Sequence, residues 1–229
     1  NAAAEAADEA AALIGNSKRP IIIAGVEIHR FGLQDKLLEL AEQTQIPIAA
    51  TLLGKSVIRE THPLYIGLYE GAMGRAEVTQ FVEESDCLVL LGTFMTDLNL
   101  GIYTANLDPA KCIYATSEQL RIHHHHYHGV MLGDFIAELT SRHPSPTPRV
   151  IPPTLQYSPK EYKLASEAPI TIERMIARLN QQIDDRSIVI ADIGDSLFAA
   201  TEIITHDRTD FISPAYYTSM GFSVPAAIG

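Results

Sequence analysis

Two hydrophobic patterns alternate along the first 142 residues. Continuous apolar runs rich in Ile, Val and Leu are typical of strands buried on both faces of a parallel sheet. Between them, apolar residues recur at the three- and four-residue spacing of amphipathic helices. The apolar runs occupy 19–25, 46–50, 87–91 and 111–115, and the helical stretches occupy 2–14, 34–44, 76–84 and 130–139. Strands and helices alternating at this interval predict right-handed βαβ units in a doubly wound sheet.

A second α/β pattern follows residue 170. Residues 171–182 carry Ile172, Met175, Ile176 and Leu179 on one predicted helical face, and 187–192 form an apolar strand. We predict that another helix begins within 199–204 and that 210–213 form a short strand. The chain stops at Gly229 within a pattern that resembles the start of a helix, so we expect the second domain to be truncated.

Prolines mark the boundary between the two patterns. They cluster throughout 143–169, beginning with Pro144, Pro146 and Pro148, and such stretches form semi-rigid, extended connectors. We therefore predict a Rossmann-like parallel-sheet domain at 1–142, a linker at 143–169 and the first part of a second α/β domain at 170–229. The fold class is α/β.

Composition and charge exclude several classes of partner. A formal net charge of -11 disfavours nucleic acid and anionic membrane surfaces, both of which require clustered Lys and Arg. No apolar run approaches the ~20 residues of a membrane span, and the first residues lack the basic region of a secretory signal. Cys87 and Cys112 lie in apolar strand patterns, which predicts buried thiols in a reducing compartment. We expect a cytoplasmic protein.

The segment after the first predicted strand, 25–30, stands where a dinucleotide-binding fold places its glycine-rich turn. It lacks the G-x-G-x-x-G pattern, since Glu27 and His29 replace the small residues that let a pyrophosphate approach. We expect Glu27 and Arg30 to face solvent or a neighbouring domain rather than a nucleotide.

Two further groups of residues could carry chemistry. The run His123, His124, His125, His126, Tyr127 and His128 suggests a metal site, but adjacent strand residues point to opposite faces, which favours a solvated loop or an interface. Asp97, Asp192 and Asp195 lie near strand ends, where open α/β sheets bind ligands. Turn formation at Asp97 and helix capping by Asp195 are equally compatible with the sequence.

Several segments together resemble the thiamine-diphosphate family of pyruvate, indolepyruvate and phenylpyruvate decarboxylases, with acetolactate synthase as a more distant relative. The first part looks like the family's middle domain, a Rossmann-like sheet that has mostly lost nucleotide binding. The similar segments of this part are Arg19 with Pro20, Ile46 to Ile48, Leu52 to Lys55, His62 with Pro63, Gly67 to Gly71, and Ser85 to Gly92 with Asp97. In the second part, 191–198 and 219–229 resemble the opening of the diphosphate-binding domain.

The resemblance implies a cofactor site formed by two short segments. Ile193, Gly194 and Asp195 would lie near the cofactor, and Thr218 and Ser219 would contact its aminopyrimidine through backbone groups. Met220 would wedge beneath the cofactor and keep its two rings in a bent conformer. We list these six as cofactor-binding residues, with no catalytic side chain and no metal ligand in the chain.

The implied reaction is the conversion of a 2-oxo acid to an aldehyde and CO2 by an intact homodimer or homotetramer that uses thiamine diphosphate and Mg. The family binds Mg through a Gly-Asp-Gly motif and a later Asn, which would follow Gly229. Its activating Glu lies on a separate N-terminal domain, and Ile193 stands where decarboxylases often have Thr. A carboligase, a nucleotide-binding module and a purely structural module remain the alternatives.

Overall fold

The computed structural model describes residues 1–156, 158, 161–165 and 167–229, and it contains two sheets flanked by helices. The strands are β1 (Pro20–Ala24), β2 (Ile48–Ala50), β3 (Tyr65–Leu68), β4 (Cys87–Leu91), β5 (Cys112–Ala115), β6 (Leu120–Ile122), β7 (His125–Tyr127), β8 (Ile188–Ile190) and β9 (Asp210–Ile212). The helices are α1 (Ala2–Asn16), α2 (Val26–Arg30), α3 (Gln34–Thr44), α4 (Ala76–Glu83), α5 (Leu132–Ser141), α6 (Ile172–Asn180), α7 (Asp195–Ala200) and α8 (Ser223–Ile228). Short 3-10 helices occur at Leu52–Gly54, Pro109–Lys111 and Pro153–Leu155.

The larger sheet has the order β3-β2-β1-β4-β5-β6-β7, and its first five strands are parallel. Strand β1 explains the continuous apolar pattern, because Ile21 and Ile23 enter one core while Ile22 and Ala24 enter the other. Helices α1, α3 and α5 cover one face and α4 covers the other. Each fully buried Ile side chain contributes about 1.5–3 kcal/mol. The predicted α/β, Rossmann-like architecture is confirmed.

The smaller sheet pairs β8 and β9 in parallel and packs beneath α6 and α7. Its core includes Ile176, Val189, Leu197 and Phe211, and Leu52 from the first part of the chain joins the same cluster. Among the residues that the structure describes, no helix is both long and apolar enough to cross a membrane.

Several sequence-based predictions need correction. Helix α7 begins at Asp195 rather than within 199–204, because Gly194, with φ +81°, breaks the extended chain there. Helix α1 continues through Gly15 to Asn16. The segment 26–30 is a short helix, and three strands of the larger sheet, β3, β6 and β7, were not predicted.

Part of the Pro-rich segment lies against the first sheet. The Arg149 guanidinium stacks 3.4 Å from the centroid of the Phe81 ring and donates to the Phe81 carbonyl oxygen at 2.7 Å. Leu155 is buried in the core beneath α4. Pro159, part of the predicted linker, lies outside the described residues, and the division of the chain at residues 142 and 170 stays a prediction.

A buried ion pair joins the larger sheet to the second unit. The Lys55 side chain has no exposed surface, and its Nζ lies 2.5 Å from Oε1 of Glu60 and donates to the Thr201 carbonyl oxygen at 2.9 Å. Glu60 also accepts hydrogen bonds from the Tyr65 hydroxyl at 3.0 Å and from the Thr205 backbone N–H at 3.2 Å. A charge without exposed surface requires such partners.

Replacing Lys55 with Ala leaves the Glu60 carboxylate buried without its cation. We expect Lys55→Ala to lower the free energy of unfolding by about 3–5 kcal/mol, measured by urea denaturation followed by circular dichroism. The control is Arg59→Ala, which removes an exposed pair with Asp207 and costs less than about 1 kcal/mol. Equal effects of the two substitutions would contradict this role of Lys55.

The backbones of the β1 and β4 ends approach closely at the point where the strand order reverses. A Cβ atom at Gly25 would lie 2.2 Å from the Gly92 carbonyl oxygen, whereas one at Gly15, in exposed helix, would meet nothing within 4 Å. We expect Gly25→Ala to destabilise the fold by about 1–3 kcal/mol or more. Gly15→Ala should stabilise it by about 0.5–1 kcal/mol. Thermal unfolding of the two variants tests these opposite signs.

Candidate functional site

The Asp192 carboxylate joins two distant segments at the carboxyl end of β8. Its Oδ2 accepts hydrogen bonds from the Gly221 backbone N–H at 2.9 Å and from the Ser223 hydroxyl at 3.4 Å. Its Oδ1 accepts from the backbone N–H of Ile193 at 3.1 Å. Residues 192–195 therefore lie beside residues 218–223 at the strand edge where open α/β sheets bind ligands.

The ionised form of the Asp192 carboxyl is the one that accepts the hydrogen bonds joining the two segments. Burial acts to raise the pKa of its carboxyl, but the backbone N–H groups of Ile193, Gly221, Ser223 and Phe222 outweigh that effect and hold the pKa below its ordinary value. A carboxylate that accepts several backbone hydrogen bonds is stabilised in its charged form. The connection between the two segments is thus made by a negative charge at neutral pH.

The first segment presents open backbone. Gly194 is exposed in the left-handed region, and a Cβ atom there would meet nothing within 4 Å. The N-cap of α7 is Gly194, and Asp195, which is exposed, is the first residue within the helix, so capping by Asp195 is wrong. Ile193 is half-buried between Asp192 and Gly194. Backbone groups of this segment are accessible to a ligand.

The second segment places an apolar side chain at the surface. Thr218 has φ +53°, and its N–H donates to the Pro214 carbonyl oxygen at 2.8 Å, which forms a tight turn before Ser219 and Met220. Met220 is 86% exposed. An unbranched thioether side chain displayed in this way can pack against the flat face of a ring.

The six residues predicted from the sequence therefore fall on the two segments that Asp192 joins. Their contact with a cofactor stays a prediction. The partners that make the connection, Gly221 and Ser223, were not identified as such from the sequence, although both lie in the 219–229 motif. Asp97 does not belong to this cluster. Its carboxylate accepts a hydrogen bond from the Leu98 backbone N–H at 2.9 Å, and its backbone carbonyl oxygen accepts one from the Ile102 backbone N–H, as expected for turn formation.

The crevice between β1 and β4 is occupied by protein. Glu27, which we expected to face solvent or another domain, is 1% exposed and accepts hydrogen bonds from the Ser117 backbone N–H at 2.8 Å and hydroxyl at 2.5 Å. The pairing was missed because its two residues are 90 positions apart. Arg30 is exposed, with its guanidinium 5.7 Å from the Phe94 ring centroid. A buried carboxylate at this position repels a pyrophosphate, which agrees with the missing glycine fingerprint.

The two cysteines lie in the hydrophobic core rather than in a candidate site. Cys87 and Cys112 are free and buried, as predicted, and burial raises the pKa of their thiols to about 12 and about 11. Thiols that stay protonated at neutral pH are poor nucleophiles.

The histidine run forms the turn and outer strand of the β6–β7 hairpin rather than a loop. His124, His125 and His126 are exposed, and Nδ1 of His125 lies 3.0 Å from the Glu9 carboxylate. In the described part of the chain, no three His, Cys, Asp or Glu side chains converge as metal ligands.

Comparison with known proteins identifies the family of this chain. The family described as "Thiamine pyrophosphate enzyme, central domain" matches residues 7–140. An indole-3-pyruvate decarboxylase from Azospirillum brasilense is 32% identical over 100% of this chain and 42% of its own length. A pyruvate decarboxylase from Hanseniaspora uvarum is 28% identical over 95% of the chain and 39% of its own length. An alpha-keto-acid decarboxylase from Mycobacterium avium is 28% identical over 97% of the chain and 39% of its own length.

The chain thus spans about two fifths of the length of these relatives. The family match covers more than half of the chain and coincides with the larger sheet and its helices. The chain belongs to the thiamine pyrophosphate enzyme family, and residues 7–140 are its central domain.

Proposed function

We propose that the intact protein converts a 2-oxo acid, such as indolepyruvate, phenylpyruvate or pyruvate, to an aldehyde and CO2 with thiamine diphosphate and Mg. The observation that carries the proposal is the extent of the similarity to decarboxylases. It covers 95–100% of the chain and therefore includes residues beyond the central domain, where Asp192 joins the two candidate segments. The substrate is a small molecule.

The residues at the β8 edge fit such a cofactor. Gly194 and Asp195 would lie beside the diphosphate, whose close approach the open backbone at Gly194 permits. Thr218 and Ser219 would contact the aminopyrimidine through backbone groups, and the exposed Met220 side chain would support the bent ring pair. Ile193 would border the same site.

The charges in this region favour a cation beside the proposed diphosphate. Asp192 and Asp195 are carboxylates on the segment assigned to the diphosphate, and negative groups at close range repel unless a cation lies between them. Mg is the divalent ion that enzymes commonly use to hold phosphate groups. We assign no Mg ligand within the chain.

Within this site the role of the protein would be to bind and orient the cofactor. When bound, thiamine diphosphate supplies the carbanion that attacks the ketone and the ring system that accepts electrons as CO2 leaves. Asp192 acts as a positioning residue, since it holds the 218–223 segment against the 192–195 segment through Gly221. Met220 presents an apolar surface that excludes water from one side of the cofactor rings.

A carboligase that makes an acetohydroxy acid is the second candidate, because it shares the cofactor and the early chemistry. A nucleotide-binding or structural role for the central domain alone is the third. The buried Glu27 carboxylate in the β1–β4 crevice disfavours the nucleotide. Assembly as a homodimer or homotetramer and a cytoplasmic location, which the buried free cysteines support, belong to the same proposal.

The reaction is tested by aldehyde formation from pyruvate, phenylpyruvate and indolepyruvate, measured by NADH consumption with a coupled alcohol dehydrogenase. With thiamine diphosphate and Mg, we expect the intact protein to release aldehyde from at least one substrate. The 229-residue chain alone is the control and should release none. An acetohydroxy acid as the main product would favour the carboligase, and the absence of both products would contradict an enzymatic function.

The positioning role of Asp192 is tested by Asp192→Ala in the intact protein. Loss of the acceptor should weaken thiamine diphosphate binding at least ~10-fold, about 1.4 kcal/mol, by fluorescence titration. It should also speed hydrogen exchange at the Gly221 amide. Asp192→Asn keeps an oxygen acceptor and should lose less affinity, while Asp207→Ala, at an exposed carboxylate of the same unit, should change neither quantity. Unchanged binding and exchange in Asp192→Ala would contradict the role.

A further inference from the structure

A cavity of about 290 Å³ opens between the end of β3 and helix α7. Its walls combine negative and apolar groups, which lie on both sides of the contact between the two sheets. The lining includes the carboxylates of Glu60, Glu70 and Glu202 and the side chains of Leu68, Met73 and Phe198.

The Glu70 carboxyl is the unusual feature of this cavity. Glu70 is 8% exposed, and its buried Oε1 has no hydrogen-bond partner among the described residues. Its backbone cannot easily withdraw, because the chain packs so closely there that a Cβ atom at Gly101 would lie 2.0 Å from the Glu70 carbonyl oxygen. A buried acceptor left unsatisfied keeps its full desolvation penalty, which is larger for a charged group.

The neighbouring cations are engaged elsewhere. Lys55 Nζ is held by Glu60 and by the Thr201 carbonyl oxygen. The Arg75 guanidinium donates to the carbonyl oxygens of Thr154 at 2.8 Å and Leu155 at 3.4 Å. Glu202, which is exposed, adds a second negative charge to the cavity wall. The cavity therefore presents a buried acceptor beside two further carboxylates, and the charge of Lys55 offsets part of their negative charge.

The chemistry of the walls distinguishes an organic cation from a metal ion. No three carboxylates converge as metal ligands in the described residues, and apolar groups form much of the lining. An organic ammonium group can donate to one carboxylate while its apolar body packs against an aromatic ring and a thioether. These are the groups that Glu70, Phe198 and Met73 supply.

We propose that this cavity binds a small organic ammonium compound, with its charged head at Glu70 and its apolar body against Phe198 and Met73. The inference does not depend on the reaction proposed above. It assigns a ligand to the contact between the two units, since Glu70 and Met73 follow β3 while Phe198 belongs to α7.

The test uses the intact protein and benzylammonium chloride as the probe, with benzyl alcohol as the neutral compound of the same shape. Isothermal titration calorimetry should show binding of benzylammonium and at least ~10-fold weaker binding of benzyl alcohol. Glu70→Gln keeps the side-chain shape and removes the charge, and it should weaken benzylammonium binding at least ~10-fold. Glu77→Gln, at an exposed position of α4 outside the cavity, should leave the affinity unchanged.

The pH dependence provides a second measurement. Burial and the negative charge of Glu202 raise the pKa of Glu70, against the opposing effect of Lys55. The other titratable or charged groups lining the cavity are Glu60, Tyr65 and Arg75. A proton on Glu70 competes with the ammonium ligand, so affinity should fall as pH is lowered through the raised pKa of Glu70. This fall should be absent in Glu70→Gln.

Three results would overturn the proposal: no binding of benzylammonium, equal binding of benzyl alcohol, or unchanged affinity in Glu70→Gln with circular dichroism showing a native fold. A Lys or Arg side chain from elsewhere in the intact protein could fill the cavity instead. In that case benzylammonium would not bind the wild-type protein, and the Glu70→Gln substitution would lower the midpoint temperature of unfolding of the intact protein. That pair of results also overturns the proposal.

Discussion

The buried ammonium group of Lys55 connects the larger sheet to the second unit. Because its side chain has no exposed surface, its charge must be met by fixed partners, and these come from both parts of the chain: Glu60 from the first and the Thr201 carbonyl oxygen from the second. Thr201 directly follows α7, so the ion pair links the end of that helix to the segment before β3. Glu60 and Thr201 also line the cavity between β3 and α7.

The central domain has the strand order of a dinucleotide-binding fold. Strand order still reverses between β1 and β4, but the crevice there is closed by the near-contact of Gly25 with Gly92 and by the Glu27 carboxylate held on Ser117. The candidate ligand sites of this chain lie elsewhere, at the β8 edge and beside α7. The second unit packs against this domain through the Lys55–Thr201 hydrogen bond and through Leu52, which joins its hydrophobic core.

Elements that bury a continuous apolar surface could be predicted from the sequence, because their pattern is local. Strands β1 and β4 and helix α3 are examples, and the bounds of α3 were predicted correctly. Strand β3 was missed because Gly67, at φ +126°, interrupts its apolar pattern, and α7 was placed late because it is only six residues long. Buried charges were missed for a different reason: Glu27 finds Ser117 90 residues away, and Lys55 finds Thr201 146 residues away. No local pattern carries such pairings.

The distance along the chain between contacting residues also explains how much of the candidate site could be predicted from the sequence. The motifs at 191–198 and 219–229, with Thr218 directly before the second, indicated the six candidate residues, but only the folded chain shows Asp192 joining the two segments. It also shows that α7 belongs to both candidate sites: Asp195 begins the helix at the candidate cofactor segment, and Phe198 lines the cavity one turn later. A ligand that shifted this six-residue helix at one site would therefore alter the other site. By linkage, any change that a ligand in the cavity makes to thiamine diphosphate affinity is matched by an equal change in its own affinity when the cofactor binds.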